Sequence, residues 1–352
     1  METKLIKKLV EIKSISGDKA KCLKALDIVK KEILKHHIPC QIRDHNDTPF
    51  LLAGKISNGS ILFLNHIDVV PAETEQFKVK QKGNKLFGRG VLDMKGPLVA
   101  CLDSFFQLWK TGNKKIIFAV TSDEEIGGFN GANFLSKAKF KNIKLAIIPD
   151  GSSDDLVIVQ KAPFHIRILA KGKSAHGSKP WEGKNAAENL LKCCLQIIKN
   201  VNGVSHDQTS ATITQFHSGE TTNKVPDKAE AIIDIRIEKE SEVEELINKI
   251  RGITKECRCD WEKIDEPLFF EIASDNFFIK KWQEIFKKIT GEKISLKVEC
   301  GASDARFLWK ELRIPVIVTS VKGGGAHSNH EWADIDSLNK LSETIVKFVN
   351  SL

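Results

Sequence analysis

The chain has 352 residues, 41% of them hydrophobic and 28% charged, with a formal net charge of +8. That length exceeds what one compact core usually serves, so two domains are expected, and neither disorder nor a bilayer-spanning run is present in the composition. The positive charge comes from lysines spread along the whole chain, which argues against nucleic acid as a partner and for an ordinary solvated surface.

The opening stretch METKLIKKLVEIKSIS sets Leu5, Ile6, Leu9 and Val10 at helical spacing. It lacks the uninterrupted apolar core of a signal peptide, and the eight cysteines form no C-x-x-C pair. Buried, reduced thiols in a cytoplasmic protein with no membrane association are therefore expected. Strands are predicted over 50–56, 61–65, 115–121 and 143–149, with helices over 19–35, 95–110 and 130–138. Short apolar strands alternating with helices give an α/β layer with a mixed, mostly parallel sheet.

Near residue 160 the pattern changes. Residues 157–171 read as one long strand or a pair, followed by a helix over 184–199 and strands over 210–216 and 229–238. A second helix is predicted from Ser241, with Glu244 completing a capping box. After Pro267 the α/β alternation returns: helix 274–289, strand 294–299, helix 303–311, strand 314–320 and helix 336–350. The expected organisation is a discontinuous domain of residues 1–160 and 267–352, carrying an inserted α+β domain of residues 161–266.

In a parallel sheet, ligands bind beyond the carboxyl ends of the strands. Strand 61–65 ends in ILFLNHIDVVP, with His66 and Asp68 two positions apart. Strand 115–121 runs into TSDEEIGG, bringing Asp123, Glu124 and Glu125, and strand 143–149 runs into Asp150. Strand 314–320 leads to KGGGAHSNHEW and His327, while FGRGVLDMKG adds Asp93 in a glycine-flanked turn before helix 95–110. Each has an ordinary explanation when taken singly: solvated acids, helix or turn caps, a loop histidine. Together they offer two His, two Asp and a Glu, a donor set suited to two zinc ions, with a further acid beside them for proton transfer. Cys257 and Cys259 flank Arg258 but have no second pair to complete four ligands, so a metal site there is not favoured.

These motifs, with GASDARF, follow one another in an order that resembles the dinuclear zinc family of succinyl-diaminopimelate desuccinylase, acetylornithine deacetylase, aminoacylase, carboxypeptidase G and tripeptidase T. The resemblance implies that His66, Asp93 and Asp150 hold one cation and Asp93, Glu125 and His327 the other, with Asp93 bridging. It implies Glu124 as general base and acid, and Asp68 as the group that orients His66. The inserted segment resembles the family's lid and dimerisation domain, so a homodimer is expected. Its His176 would reach the partner subunit's site and stabilise the oxyanion. Asn223, Arg236 and Gly324, the last within Gly323–Gly325, are implied as substrate contacts, Arg236 as a carboxylate clamp.

Two departures turn the expectation toward short peptides. Asp150 stands where deacylases and carboxypeptidases of the family mostly have Glu, and Ala302 replaces a hydroxyl residue of the desuccinylase pattern. The reading is an exopeptidase or dipeptidase using two divalent cations per subunit, zinc by preference, with cobalt or manganese accepted by the same donors. The alternative keeps the machinery but acts on N-acyl amino acids, as a deacetylase or desuccinylase. A non-catalytic binding protein on the same fold is a third reading, disfavoured because Glu124 and Asp93 are both present.

Overall fold

The computed structural model describes residues 3–151, 154–205 and 208–352. The chain forms two compact units, one of residues 1–159, 271–297 and 303–352, the other of residues 160–270 and 298–302. Residues 298–302 therefore fall with the second unit, where the sequence pattern puts them in the first.

The first unit is built on a sheet with strand order Cys40–His45, Thr48–Ala53, Ile116–Thr121, Ser60–His66, Ile143–Ile148, Val316–Thr319, Leu156–Gln160 and Phe270–Glu271. Leu296–Glu299 also pairs with Leu156–Gln160. From Ile116–Thr121 to Val316–Thr319 the strands are parallel, and the strands flanking this block run antiparallel to it. A strand covered on both faces reads as a continuous apolar run, and every residue of Ser60–His66 and Ile116–Thr121 is buried. Helices Lys95–Lys110 and Ile335–Asn350 pack together, with the hydroxyls of Ser104 and Ser342 3.3 Å apart. Trp282 of helix Phe277–Thr290 meets Phe348 edge-on at 5.0 Å between ring centroids.

No strand is predicted over Cys40–His45, yet it forms a hairpin with Thr48–Ala53. The turn is made by Asn46 and Asp47, whose φ values of 48° and 60° are the left-handed pair that a two-residue hairpin loop requires. Further along, Gly323–Gly324, Trp332–Asp334, Lys85–Phe87 and Lys80–Lys82 form a small separate sheet.

The second unit is a four-stranded antiparallel sheet in the order Ser210–Ser218, Lys228–Ile237, Ala162–Lys171, Cys259–Lys263. Strict alternation of buried and partly exposed residues along Ala162–Lys171 gives one face to helices Ala186–Val201 and Val243–Glu256. Of the two readings of 157–171, the pair holds, and it divides at Lys161. The capping box at Ser241 is absent. Ser241 lies inside a single 3-10 turn, Glu240–Glu242, so the helix proper starts at Val243 after Glu242, which makes no side-chain cap.

All eight cysteines are free; six are buried, Cys40 is half-buried and Cys300 is exposed. The Cys257 thiol donates to Gln196 Oε1 at 3.0 Å, inside the core of the second unit. Among the described residues no helix is long and apolar enough to cross a membrane.

Candidate active site

The carboxyl ends of the parallel strands in the first unit gather the predicted donors. His66, the last residue of Ser60–His66, is buried, with Nε2 3.2 Å from Asp93 Oδ1 and 3.5 Å from Asp150 Oδ1. His327 Nε2 lies 3.0 Å from Asp93 Oδ2 and 3.0 Å from Glu125 Oε2. Two trios result, His66–Asp93–Asp150 and Asp93–Glu125–His327, and within each the candidate donor atoms lie within 4.8 Å of one another. Asp93 belongs to both.

Hydrogen bonding fixes the tautomer of His66. Its Nδ1 faces two acceptors, the Asp68 carbonyl at 3.1 Å and Asp68 Oδ1 at 3.4 Å, so Nδ1 carries the proton and donates it. The Nε2 lone pair is then turned toward Asp93 and Asp150. The Asp68 carboxylate does more than aim the imidazole. It also accepts from the backbone amides of Glu124 and Glu125, at 3.3 and 3.2 Å, and so holds the turn that follows strand Ile116–Thr121.

The electrostatics suit cations. Burial, then repulsion from Asp93 and Glu125, outweighs the opposing pull of His66 and pushes Asp150 up to about 7. Burial opposes ionisation of Asp93, but the imidazoles of His327 and His66 close beside it prevail and hold it below the ordinary carboxylate range. Hydrogen bonds to Asp93 and Glu125 raise His327 to about 10. Burial disfavours charge on His66, yet Asp150, Asp68 and Asp93 raise its pKa well above the usual imidazole value. Carboxylates that favour a proton at Nε2 favour a cation there equally. Two buried atoms, His66 Nε2 and Glu125 Oε1, make no hydrogen bond among the described residues. The donor set and these two open positions fit a pair of divalent ions.

Glu124 stands beside this cluster without belonging to either trio. Burial first, then repulsion from Asp150, Asp304 and Glu125, raises its carboxyl well above the usual range. A carboxyl tuned upward in this way is suited to take and return a proton near neutral pH.

Supporting residues escaped the sequence reading. Glu331 accepts from the amides of Leu92 and Asp93 through Oε1, at 2.9 and 3.2 Å, and pairs with Arg89 through Oε2. Asp304 is buried, accepts from Thr121 Oγ1 at 3.3 Å, and is driven upward by burial and then by Asp123. Asp123, predicted alongside the glutamates, accepts from the amides of Asn130 and Gly131 at 2.9 and 3.0 Å, which closes the loop after the site. Gly128 in that loop has φ +70°, and a Cβ there would stand 2.3 Å from Asp304 Oδ1. The glycine signal was visible in TSDEEIGG; its partner in GASDARF was not.

Crowding at the other glycines comes from the chain itself: a Cβ on Gly323 would meet Leu92 and one on Gly324 would meet the Trp332 ring, at 2.6 and 3.1 Å. The remaining predicted residues belong to the second unit. His176 is exposed, and its Nδ1 accepts from the Ser178 amide at 3.1 Å, so in the neutral tautomer the ring N–H sits on Nε2. Asn223 is next to it, its carbonyl accepting from Gly177 N at 2.6 Å. Arg236 is engaged on its own strand by Asp234, through Nε at 2.8 Å and Nη2 at 2.9 Å.

The chain is 24% identical to a succinyl-diaminopimelate desuccinylase of Rickettsia bellii (strain OSU 85-389) over 99% of its own length and 96% of that protein. Among solved structures it resembles the M20 family metallo-carboxypeptidase Sso-CP2 from Sulfolobus solfataricus, with TM-score 0.82 and 17% identity over 99% of each chain. It also resembles aminopeptidase PepT from Bacillus cereus ATCC 10987, with TM-score 0.78 and 20% identity over 98% of this chain and 97% of that one. The sequence profile described as Peptidase family M20/M25/M40 matches residues 62–351, so this chain belongs to that family.

Proposed function

We propose that this metal-dependent amide hydrolase acts on short peptides as an exopeptidase or dipeptidase, in the cytoplasm and as a homodimer. The observation that carries the reading is the pair of donor trios sharing Asp93, with the Glu124 carboxyl close enough to feel Asp150 and Glu125. His66, Asp93 and Asp150 would hold one cation and Asp93, Glu125 and His327 the other, with zinc the first choice for this N/O set. Bound there, such ions polarise a scissile carbonyl and render water nucleophilic at neutral pH.

The chain's own groups then divide the work. Glu124 takes the proton from the attacking water and delivers it to the departing amine. Asp68 keeps the proton of His66 on Nδ1 and fixes the Glu124–Glu125 turn. On the second unit, the Nε2–H of His176 is the donor assigned to the developing oxyanion in the partner subunit's site, with Asn223 and Arg236 as substrate contacts. Gly324 is assigned to substrate contact through its backbone.

A homodimer is supported by the second unit, where Leu191 and Leu195 on helix Ala186–Val201 are 46% and 54% exposed and strand Ser210–Ser218 is an open sheet edge. Leu195→Glu is expected to shift the sedimentation of the zinc-loaded protein from dimer to monomer; a parent that sediments as monomer overturns this part.

The full-length similarity to a desuccinylase favours a second reading, hydrolysis of N-acyl amino acids. Side-by-side assay of dipeptides, tripeptides, and N-acetyl and N-succinyl amino acids on zinc-loaded protein separates the two. Faster turnover of the acyl compounds reverses the order; hydrolysis of neither class defeats both.

A further inference from the structure

We propose that Ser16, carried on an N-terminal strap that Lys95 pins in place, is a positioning residue acting on the metal centre and Glu124 through Asp68. The proposal rests on the functional reading above and extends it to a part of the chain with no assigned role.

The strap is residues 9–16. Lys95 is fully buried, and its Nζ donates to the carbonyls of Leu9 and Ile12 at 3.1 and 2.9 Å. Burial lowers the Lys95 amine to about 7, so what holds this end of the strap is the pair of hydrogen bonds from one buried nitrogen rather than a full charge. After Lys13 the chain reads Ser14-Ile15-Ser16-Gly17. Val69 N donates to the Ser14 carbonyl at 3.0 Å and Ser16 N donates to the Val69 carbonyl at 3.2 Å, so the strap runs beside the segment that follows strand Ser60–His66. In an extended run, alternate side chains share a face. Both serine hydroxyls accordingly reach the same segment: Ser14 Oγ donates to the Ile67 carbonyl at 2.7 Å and Ser16 Oγ to Asp68 Oδ2 at 2.7 Å. Gly17, at φ +87°, turns the chain away.

At Asp68 the Ser16 bond is the shortest the carboxylate makes; its other partners are two backbone amides at 3.2 and 3.3 Å and His66 Nδ1 at 3.4 Å. The terminal torsion of an aspartate is soft. Ser16 is the contact that selects the one rotation in which Oδ1 and Oδ2 serve the imidazole and the Glu124–Glu125 amides together. Removing its hydroxyl frees the carboxylate to turn, which loosens a metal-holding imidazole and the proton-transfer glutamate at once.

The test compares Ser16→Ala, Ser16→Thr and Ser14→Ala with the parent, using cobalt(II) alone as probe and, separately, kcat and KM on a substrate the parent hydrolyses. Ser16→Ala is expected to lose about 10–100-fold in cobalt affinity or in kcat, the range typical of groups supporting a metal ligand, with KM within twofold. Ser16→Thr keeps the hydroxyl and is expected to restore both. Ser14→Ala breaks the neighbouring strap bond without touching Asp68 and is expected to match the parent. The proposal is overturned if Ser16→Ala leaves cobalt affinity and kcat within twofold, if Thr fails to rescue, or if Ser14→Ala is equally impaired, which marks a purely structural strap. A parent that hydrolyses neither peptides nor N-acyl amino acids defeats the functional reading alone, because the cobalt titration still decides the role of Ser16.

Discussion

Arg89 and Glu331 form a buried ion pair, Nη1 to Oε2 at 2.6 Å, beneath the loop that presents Asp93. The glutamate's other oxygen accepts from the amides of Leu92 and Asp93, so the residue shared by the two trios is braced by a glutamate 238 positions further along the sequence. Breaking one side of such a pair leaves an uncompensated buried charge, at a cost of about 3–5 kcal/mol. Arg89→Met is expected to lose that much in denaturant unfolding. Adding Glu331→Gln is expected to recover part of it, as coupled neighbours do. Purely additive losses would show that the two do not act as a unit.

Glu124→Gln keeps the shape of the side chain and removes its capacity to carry a proton. Turnover is expected to fall about 10²–10⁴-fold, with two cations per chain retained. Metal analysis alongside kinetics checks this. Parent-like turnover in the variant rules out the assigned role.

Cation removal acts on stability as well as on activity, because Asp93, Glu125 and Asp150 repel one another in a buried site. Dialysis against a chelator is expected to abolish hydrolysis and lower Tm, and reloading with zinc, cobalt or manganese to restore both. At a free ion concentration one hundred times Kd, the stabilisation per site is about 2.7 kcal/mol. Identical thermal scans with and without the ion would contradict the two-cation site.

The second unit carries its own pH signature. Hydrogen bonds to Asp234 and Asp265 raise His165 to about 9. A folded pKa above the ordinary 6.5 adds stability that is complete below the unfolded value and fades as pH rises through about 9. Burial opposes ionisation of Asp234, but His165 and Arg236 bring it down to about 2, so its contribution persists above the ordinary carboxylate range and fades toward pH 2. The parent's Tm advantage over His165→Gln is therefore expected to hold between pH 5 and 6.5 and to close by about pH 10. An advantage that widens with alkali would show that the imidazole is neutral in the folded protein.

The parts of the site that lay at strand ends were legible, because burial on both faces writes a central strand as an uninterrupted apolar run and the polar residue after it stands out. His66, Glu125 and Asp150 stand out as candidate donors that way, whereas His327 lies beyond Val316–Thr319 in a glycine-rich loop. Glu331 and Ser16 do not stand out, since each sits in a loop or strap with no periodic pattern and gains its meaning only from a partner far along the chain. The hairpin at Asn46–Asp47 was missed for a local reason: the Asn-Asp pair announces a turn without the glycine that usually marks one. The capping box at Ser241 failed in the opposite sense, a correct local signal overridden when the chain took one tighter turn first.

One of the two acceptors on His66 Nδ1 is a main-chain oxygen, and no side-chain replacement can delete it. Loss of the carboxylate at position 68 would thus disarm the glutamate turn while sparing half of the imidazole's guidance. A descendant that drifted there is expected to lose turnover sooner than it loses its affinity for divalent ions.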